Sequence, residues 1–302
     1  MDAIRIGRRD EKWLRAYLSQ LGLDHQQNEI REYLYDVLEK AIAVGHVRPI
    51  KPGNADGVFH LQFTNGLSAP AIYVRENIPI RYALEALELD TQRPAVVIIG
   101  GADGLSDERT GRLNSLFEKI IVPMCEELQV SVIDGGTDSG VMRLMGQART
   151  KHKATFPLIG VVAKGTLQLE EDSPRIRSKA APPEPNHSHF MLVPGSDWSD
   201  ESKWISAISS EIGFTQPVIT IVANGGEVTW RDVAFSFTSG HPVIAIKGSG
   251  RAADSLAAAV ESRGRNAHAK AFDEQGFLQV ADLNKPEELT RLMLKMLCEK
   301  LF

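Results

Sequence analysis

The chain has 302 residues, which is long enough for two domains and for a core that needs no disulfide or metal. Its net charge of −5 argues against binding of a nucleic-acid polymer, because proteins that hold many phosphates present a basic face. Two cysteines, Cys125 and Cys298, exclude a disulfide framework and a cysteine-based zinc site. No apolar run approaches the roughly 20 residues of a transmembrane helix, and no signal-peptide pattern opens the chain, so we expect a cytoplasmic location without membrane insertion.

The first ninety residues predict a small α+β module. Apolar residues at helical spacing indicate two amphipathic helices, over Trp13–Leu21 and Ile30–Ile42. Alternating apolar residues around an Asn-Gly turn predict a β-hairpin over Phe59–Val74, and Ile80–Leu89 predicts one more helix. Two helices and a hairpin are also the content of a winged helix, but the exposed face of the second helix is acidic, which disfavours DNA binding. We therefore treat residues 1–90 as a module of unknown role, with packing or oligomerisation as the simplest interpretation.

Residues 91–302 show a different pattern, in which short apolar runs end in glycine and are followed by helical segments. Continuous apolar strands that alternate with helices are typical of an α/β domain, so we predict a Rossmann-like, doubly wound parallel sheet. A further strand and helix are expected over Phe277–Val280 and Pro286–Leu301. The long polar segment Gly165–His189 is typical of a lid or a binding loop. The six predicted strands are Ala95–Ile99, Val130–Ile133, Leu158–Val162, Phe190–Val193, Val218–Val222 and Val243–Ile246.

The loops that end these strands carry the candidate binding site. In open parallel sheets ligands bind beyond the carboxyl ends of the strands, and a helix that starts there directs N–H groups at an anion. Several such loops on one edge therefore predict a phosphate-bearing ligand, although tight turns of this kind also occur in doubly wound folds without one. Arg251 adds a planar fork suited to phosphate oxygens. The other candidates are Gly100, Gly101, Gly135, Gly136, Thr137, Ser139, Gly140, Gly225, Gly226, Thr229, Gly248, Ser249 and Gly250.

Two carboxylates and a histidine pair complete the candidates. Glu227 and Asp232 could bind ribose hydroxyls or act as a general base. Alternatively, they could be first-turn acidic residues that interact only with the helix dipole. His187 and His189 have the spacing of a metal-binding pair, but no third ligand is evident, so we expect no metal and assign His189 to ligand contact. Trp198 could stack on a base. The Rossmann fingerprint, the P-loop lysine and the nucleophile elbow are absent, and no catalytic set is identified.

Five sequence blocks in order resemble one family. The blocks are Gly100-Gly101, GGTDSGVMRLMGQA (135–148), NHSHFMLV (186–193), NGGEVTWRDV (224–233) and GSGRAADSLA (248–257). They resemble the SLOG superfamily, and within it the LSDAT branch found in TRP-melastatin channels and in prokaryotic stand-alone proteins. The resemblance implies a Rossmann-like domain for nucleotide-derived ligands such as ADP-ribose, with Arg251 on a phosphate and Trp198 against the ligand. More distantly the chain is similar to the LOG (lysine-decarboxylase-like) phosphoribohydrolases, whose acidic motif position falls at Asp232.

Three functions stay open at this point. The first is a cytosolic sensor that binds a nucleotide- or NAD-derived ligand, needs no cofactor and signals to an effector protein or within a homo-oligomer. The second is a hydrolase of N-glycosidic bonds in NAD or a nucleotide, using Asp232 or Glu227. The third is a structural or oligomerisation protein whose pocket is vestigial. We favour the sensor because anion-binding loops are many and catalytic groups are few.

Overall fold

A nine-stranded sheet organises the part of the chain that the structure, a computed structural model, describes. The described residues are 57–298, without 64, 77, 102–105, 169–179 and 262–276. They belong to one compact unit, Ala55–Phe302. The two helices predicted before residue 45 lie outside the described residues. The strands are β1 (Phe59–Gln62), β2 (Ser68–Tyr73), β3 (Ala95–Gly100), β4 (Ser131–Asp134), β5 (Leu158–Ala163), β6 (His189–Val193), β7 (Val218–Ala223), β8 (Val243–Lys247) and β9 (Leu278–Asp282).

The spatial order of the strands is β1-β2-β6-β5-β4-β3-β7-β8-β9. Only the β1–β2 pairing is antiparallel, and every other pairing of these strands is parallel. The predicted α/β fold class, the hairpin, the six strands and the final strand and helix are therefore confirmed. The helices are α1 (Ile80–Ala86), α2 (Asp107–Leu116), α3 (Val122–Glu127), α4 (Gly140–His152), α5 (Ser202–Gly213), α6 (Glu227–Thr238), α7 (Arg251–Glu261) and α8 (Pro286–Cys298), with a π-helical turn, Phe117–Ile121, between α2 and α3.

Helices cover both faces of the sheet, as a doubly wound fold requires. Alternate residues of one strand point to opposite faces, so Val96 and Ile98 of β3 pack in one cluster while Val97 and Ile99 pack in the other. The first cluster includes α2, α3, α4 and α8, and the second includes α1, α5, α6 and α7. Burial on both sides explains why these strands are continuous apolar runs. None of the described helices is long and apolar enough to cross a bilayer.

The N-terminal hairpin is part of the same sheet as the strands that follow residue 91. Strand β2 pairs with β6 in parallel, and Phe63 of the hairpin packs against Phe190 of β6 with ring centroids 5.9 Å apart. The predicted boundary near Asp90 therefore does not coincide with a break in the sheet. A hairpin is recognised from local sequence, whereas its partner β6 lies more than a hundred residues later.

The winding of the sheet reverses between β3 and β7, and this reversal positions the candidate site. The chain proceeds from β3 through β4, β5 and β6 in one direction, and from β7 through β8 and β9 in the other. The carboxyl ends of β3 and β7 are adjacent, since Gly100 pairs with Ala223. A Cβ atom on Gly100 would lie 1.9 Å from the Ala223 carbonyl oxygen, so this position requires glycine. A crevice at such a switch point is the usual ligand site of an open parallel sheet.

Candidate functional site

Three glycine-rich loops meet at the carboxyl ends of β3, β7 and β8. The Asn224 side chain donates from Nδ2 to the Gly101 carbonyl at 3.1 Å, which joins the first two loops. The Asn224 backbone N–H donates to Oγ of Ser249 at 2.8 Å, which joins the second and third. A Cβ on Gly101 would lie 3.9 Å from the Gly225 Cα. The structure thus brings together the predicted loops that contain Gly100, Gly225 and Gly248.

Ser249 holds the loops together and does not offer its hydroxyl to a ligand. Its side chain is 1% exposed, accepts the Asn224 N–H and donates its only hydroxyl hydrogen to the Ile246 carbonyl. The expectation of a donor hydroxyl at this position is therefore corrected. The buried serine provides hydrogen-bond partners for two backbone groups, the Asn224 N–H and the Ile246 carbonyl. Its hydroxyl is therefore used within the protein, as buried polar groups usually are.

The two helices that begin at the crevice differ in their free N–H groups. The first amides of α7 are already used, because Ala252 donates to the Gly225 carbonyl and Ala253 to the Asn224 carbonyl. Helix α6 begins at an N-cap glycine, Gly226, without a side-chain cap. Among the described residues, no acceptor takes the N–H groups of Gly225 and Gly226. Of the two helices, α6 is therefore the one whose first N–H groups remain available at the crevice.

Arg251 is exposed and lies over the start of α6. A Cβ on Gly226 would lie 3.1 Å from Nη2 of Arg251, so the glycine makes room for the guanidinium. No hydrogen bond or ion pair engages this guanidinium in the part of the chain that the structure describes. A cation beside the positive end of a helix is unfavourable unless an anion binds there, and a phosphate meets that need.

Thr229 and Glu227, both on α6, have unequal access to the crevice. Thr229 is 3% exposed, and a Cβ on Gly225 would lie 2.5 Å from its Oγ1, so its side chain supports the loop from beneath. Glu227 is exposed at the first position of α6, where the positive end of the helix dipole stabilises a carboxylate. Of the two, Glu227 is the one placed to meet a ligand.

The loop after β4 borders the crevice, because β4 is the other neighbour of β3. It contains Gly135, Gly136, Thr137 and Ser139, and Gly140 follows as the first residue of α4. Backbone bonds hold it to residues 182–184, from the N–H of residue 138 to the carbonyl of residue 182 and from the N–H of residue 184 to the carbonyl of residue 136. Thr137 is buried with its Oγ1 3.3 Å from Oγ of Ser139, and Ser139 is exposed at the N-cap of α4. Ser139 is thus the accessible hydroxyl of this loop.

A buried ionic network anchors this loop and was missed by the sequence analysis. His187 places Nε2 2.8 Å from Asp134, the last residue of β4, and Nδ1 2.8 Å from Glu184. Burial alone would lower the pKa of His187, but the charge of Asp134 and the hydrogen bonds to both carboxylates outweigh it and raise the pKa to about 9. Asp134 also accepts the Gly136 N–H at 2.8 Å. The protonated His187 therefore fixes the strand end from which the loop begins.

His189 does not lie at the crevice. It is the first residue of β6, so it stands at the amino end of a parallel strand, whereas the glycine loops follow the carboxyl ends. Its ring neighbours the Ser188 hydroxyl, and burial together with the charge of Arg149 lowers its pKa to about 4. The expected ligand contact is corrected, because direction along the strand decides which edge a residue occupies. Among the described residues, no group of His, Cys, Asp and Glu has the arrangement of a metal site.

A second opening lies farther along the same edge, where β6 ends. This open pocket has a volume of about 430 Å³. The half-buried Trp198 belongs to the turn between β6 and α5 that borders it. The lining residues are Glu76, Pro194, Gly195, Ser199, Asp200, Lys203, Arg231 and Phe235.

Two buried carboxyl groups lie between the start of α5 and the second turn of α6. Burial raises the pKa of Asp232 to about 6, against the opposing effect of the Ser202 hydroxyl. Burial also raises the pKa of Glu201 to about 7, and the nearby charge of Asp232 adds to the rise. Asp232 Oδ1 and Glu201 Oε2 have no hydrogen-bond partner among the described residues. Sequence analysis proposed Asp232 but not Glu201, because their proximity depends on how α5 packs against α6.

Comparison with known proteins identifies the family. A family model described as "SLOG in TRPM, prokaryote" matches residues 93–291, about two-thirds of the chain. The chain belongs to this family. The SLOG domain therefore contains the crevice, the glycine loops and Arg251, and the resemblance found in the sequence is confirmed.

Curated relatives of this SLOG protein are channel subunits. The chain is 25% identical over 206 residues to transient receptor potential cation channel subfamily M member 2 of Rattus norvegicus, a match that covers 56% of this chain and 13% of the channel. It is 27% identical over 213 residues to the subfamily M member-like 2 protein of Nematostella vectensis, which covers 59% and 14% respectively. The match thus spans only a small part of these relatives. Among solved structures, the X-ray structure of TM1055 aligns with a TM-score of 0.45 and 17% identity, covering 67% of this chain and 99% of that one.

Proposed function

We propose that this protein is a sensor that binds a nucleotide- or NAD-derived anion, such as ADP-ribose, in the crevice between β3 and β7. The observation that carries the proposal is the Arg251 guanidinium, which has no partner in the described part of the chain, beside the uncapped start of α6. Both features favour an anion, and both lie at the switch point of the sheet. Membership of the SLOG family supports a ligand-binding role. We further propose that ligand binding is passed on to an effector protein or to another copy of the chain.

Isothermal titration calorimetry with ADP-ribose, NAD, ADP and AMP tests the proposal. We expect at least one of these nucleotides to bind the full chain. Arg251→Ala should weaken binding by roughly tenfold to a hundredfold, the value of a charge-assisted hydrogen-bonded contact. Arg251→Lys keeps the charge but loses the planar fork, so its affinity should lie between those of the wild type and Arg251→Ala. Absence of binding by all four nucleotides, or equal affinity in Arg251→Ala, contradicts the sensor proposal.

The buried carboxyl pair favours a second candidate, hydrolysis of an N-glycosidic bond. Asp232, with its pKa raised to about 6, is suited to exchange a proton near neutral pH, and Glu201 adds a second such group. Chromatography of NAD and AMP after incubation with the protein separates the two functions. Product that forms with the wild type and disappears in Asp232→Asn supports the hydrolase, whereas intact ligand after prolonged incubation supports the sensor.

A further inference from the structure

We propose that Glu201 and Asp232 form a proton-dependent latch between α5 and α6, which holds the two helices together while the carboxyl groups are protonated and weakens as they become charged. The latch is a regulatory device through which pH acts on the turn between β6 and α5. It requires no bound ligand, so the inference goes beyond the proposed function and does not depend on it.

Three polar side-chain atoms at the contact between α5 and α6 have no hydrogen-bond partner among the described residues. They are Oε2 of Glu201 and Oγ of Ser202 at the start of α5, and Oδ1 of Asp232 in the second turn of α6. Glu201 is 8% exposed and Ser202 is 1% exposed. The charge of Asp232 acts on Glu201, and the Ser202 hydroxyl acts on Asp232, so the three groups face one another. Buried polar atoms usually have partners, and three together without any indicate a contact that is sensitive to its protonation state.

The cations closest to the latch are used elsewhere. In the described part of the chain, no arginine, lysine or histidine forms an ion pair with either carboxyl group. Arg231 donates to a serine hydroxyl of the turn, and Lys203 pairs with Glu76 at 3.1 Å. The charge of Asp200 opposes a second negative charge on Glu201 instead of offsetting it.

The other elements packed against α5 and α6 do not supply a compensating charge. Strands β3 and β7, beneath both helices, contain no charged residue. On the neighbouring elements, Glu85 of α1 and Arg251 of α7 are exposed. The other charged groups there interact with different partners, namely Asp134 of β4 with His187, Arg81 of α1 with Glu211, Lys247 of β8 with Glu261, and Asp254 of α7 with the Gly248 N–H. A proton is therefore the charge compensation that this contact uses.

Burial makes the latch depend on pH, because a buried carboxylate without a cation is unfavourable. It raises the pKa of Glu201 from 4.5 to about 7 and that of Asp232 from 3.8 to about 6. When the contact opens to water, both groups return toward their ordinary pKa values. The stabilisation of the closed contact is thus complete below about pH 4 and is lost as pH rises through 6 to 7. A protonated carboxyl group can also donate its hydrogen to one of the oxygens that lack a partner.

Glu201 connects the latch to the turn between β6 and α5. Its Oε1 accepts the Ser199 N–H at 3.2 Å, and Ser199 has a φ of +80°. This conformation is uncommon for serine, so the turn needs the bond from Glu201 to keep its shape. Ser199 lines the opening at the end of β6, and Trp198 precedes it in the same turn. When the charged Glu201 turns toward water, the turn loses this bond and the opening changes.

Hydrogen–deuterium exchange of the full chain, read by mass spectrometry at pH 5 and pH 8 and corrected for intrinsic exchange rates, tests the latch. The reporters are the amides of Trp204 and Ile205, which both donate to the Glu201 carbonyl at 2.9 Å. Their protection should fall roughly tenfold to a hundredfold from pH 5 to pH 8, because each pH unit between the two pKa values of Glu201 changes the opening constant by up to about tenfold. A peptide from α8, on the opposite face of the sheet, is the reference and should change less.

Neutral variants separate the latch from a general effect of pH. Glu201→Gln should show a smaller loss of protection than the wild type, and Glu201→Gln combined with Asp232→Asn should change no more than the α8 reference. Glu76→Gln is the matched control, since it removes an exposed carboxylate at the same opening and should behave as the wild type does. Equal protection of the wild type at pH 5 and pH 8, or the same loss in the double variant, overturns the inference and leaves the proposed function untouched.

Discussion

At the scale of single residues, the loop after β8 places a buried side chain and an exposed one only two positions apart. Ser249 is buried and joins the loops after β7 and β8 through its hydroxyl. Arg251, two residues later, is exposed, and its guanidinium has no partner among the described residues. Its φ of +44° is unusual for arginine, and its guanidinium lies beside Gly226 in the loop after β7. The position of Arg251 thus depends on the loop that the buried Ser249 holds in place.

We predict that His187 makes stability depend on pH. Its pKa in the folded protein, about 9, lies above its ordinary value of 6.5, so folding favours the protonated form. The stabilisation is fully present below about pH 6.5 and is lost as pH rises through 9, by roughly 3 kcal/mol in total. Urea unfolding of wild type and His187→Gln between pH 6 and pH 9 measures it. The difference in unfolding free energy between the two proteins should shrink as pH rises.

The matched control is His241→Gln, at a second buried histidine whose pKa burial lowers to about 4. Its neutral form is favoured on folding, so its contribution should not decline over the same pH range. A difference between wild type and His187→Gln that stays constant from pH 6 to pH 9 would show that His187 is not held protonated.

The residues that act through distant partners were beyond prediction from sequence. His187 and Asp134 are 53 positions apart, and the sequence around neither residue predicts an ion pair. Arg251 was predicted because its glycines and the helix that follows are adjacent in sequence.

At the scale of elements, the loop after β4 approaches β5 closely because each has a glycine at the contact, Gly136 in the loop and Gly160 in the strand. A Cβ on Gly160 of β5 would lie 2.7 Å from the Gly136 Cα and 2.8 Å from the Phe190 ring. The loop after β4 can therefore lie directly against β5. The same tight packing leaves no room for adjustment, as is typical of buried sheet interiors.

Glycine-to-alanine variants at two elements should have opposite effects. Gly160→Ala should lower the unfolding free energy by about 1–3 kcal/mol, because the added methyl group overlaps buried atoms. Gly111→Ala, in α2 with open space around its Cβ position, should raise it by up to about 1 kcal/mol through helix propensity. Denaturant unfolding measures both. A neutral Gly160→Ala would mean that the β4–β5 contact can relax.

Apolar runs predicted the strands well, because burial on both faces is recorded in local composition. Helix ends were harder to predict. The helix expected over Ile80–Leu89 ends at Ala86, because Glu88 adopts a φ of +56° and the Leu89 N–H bonds back to Leu84. Such a turn depends on the packing of Leu87 and Leu89 into the core rather than on a glycine or proline signal.

At the scale of the whole molecule, the hairpin completes the sheet rather than forming a separate body. Strand β2 covers the edge of β6, and a third apolar cluster fills the space above them. Sequence analysis identified the hairpin but could not assign its partner, since pairing between distant strands leaves no local signature.

We predict that a fragment of residues 91–302 is less stable than one of residues 55–302. The shorter fragment uncovers the edge of β6 and exposes Phe190 and Leu192, which the hairpin buries. It should unfold at a lower temperature and aggregate in size-exclusion chromatography. Equal melting temperatures and equal elution of the two fragments would show that the hairpin contributes nothing to the sheet.

The bonds of Asn224 to Gly101 and Ser249 also bear on the speed of ligand binding. The described loops of the crevice are held in place before a ligand arrives, so association does not wait for them to form. The encounter rate then depends on diffusion and on charge, with Arg251 attracting an anion at short range and the net charge of −5 opposing it at long range. Salt screens the local attraction less than the long-range repulsion, because the attraction acts within a Debye length of about 8 Å at physiological ionic strength. If the crevice binds an anion as proposed, we expect added salt to weaken the long-range repulsion more than the local attraction, so the association rate should change little with salt.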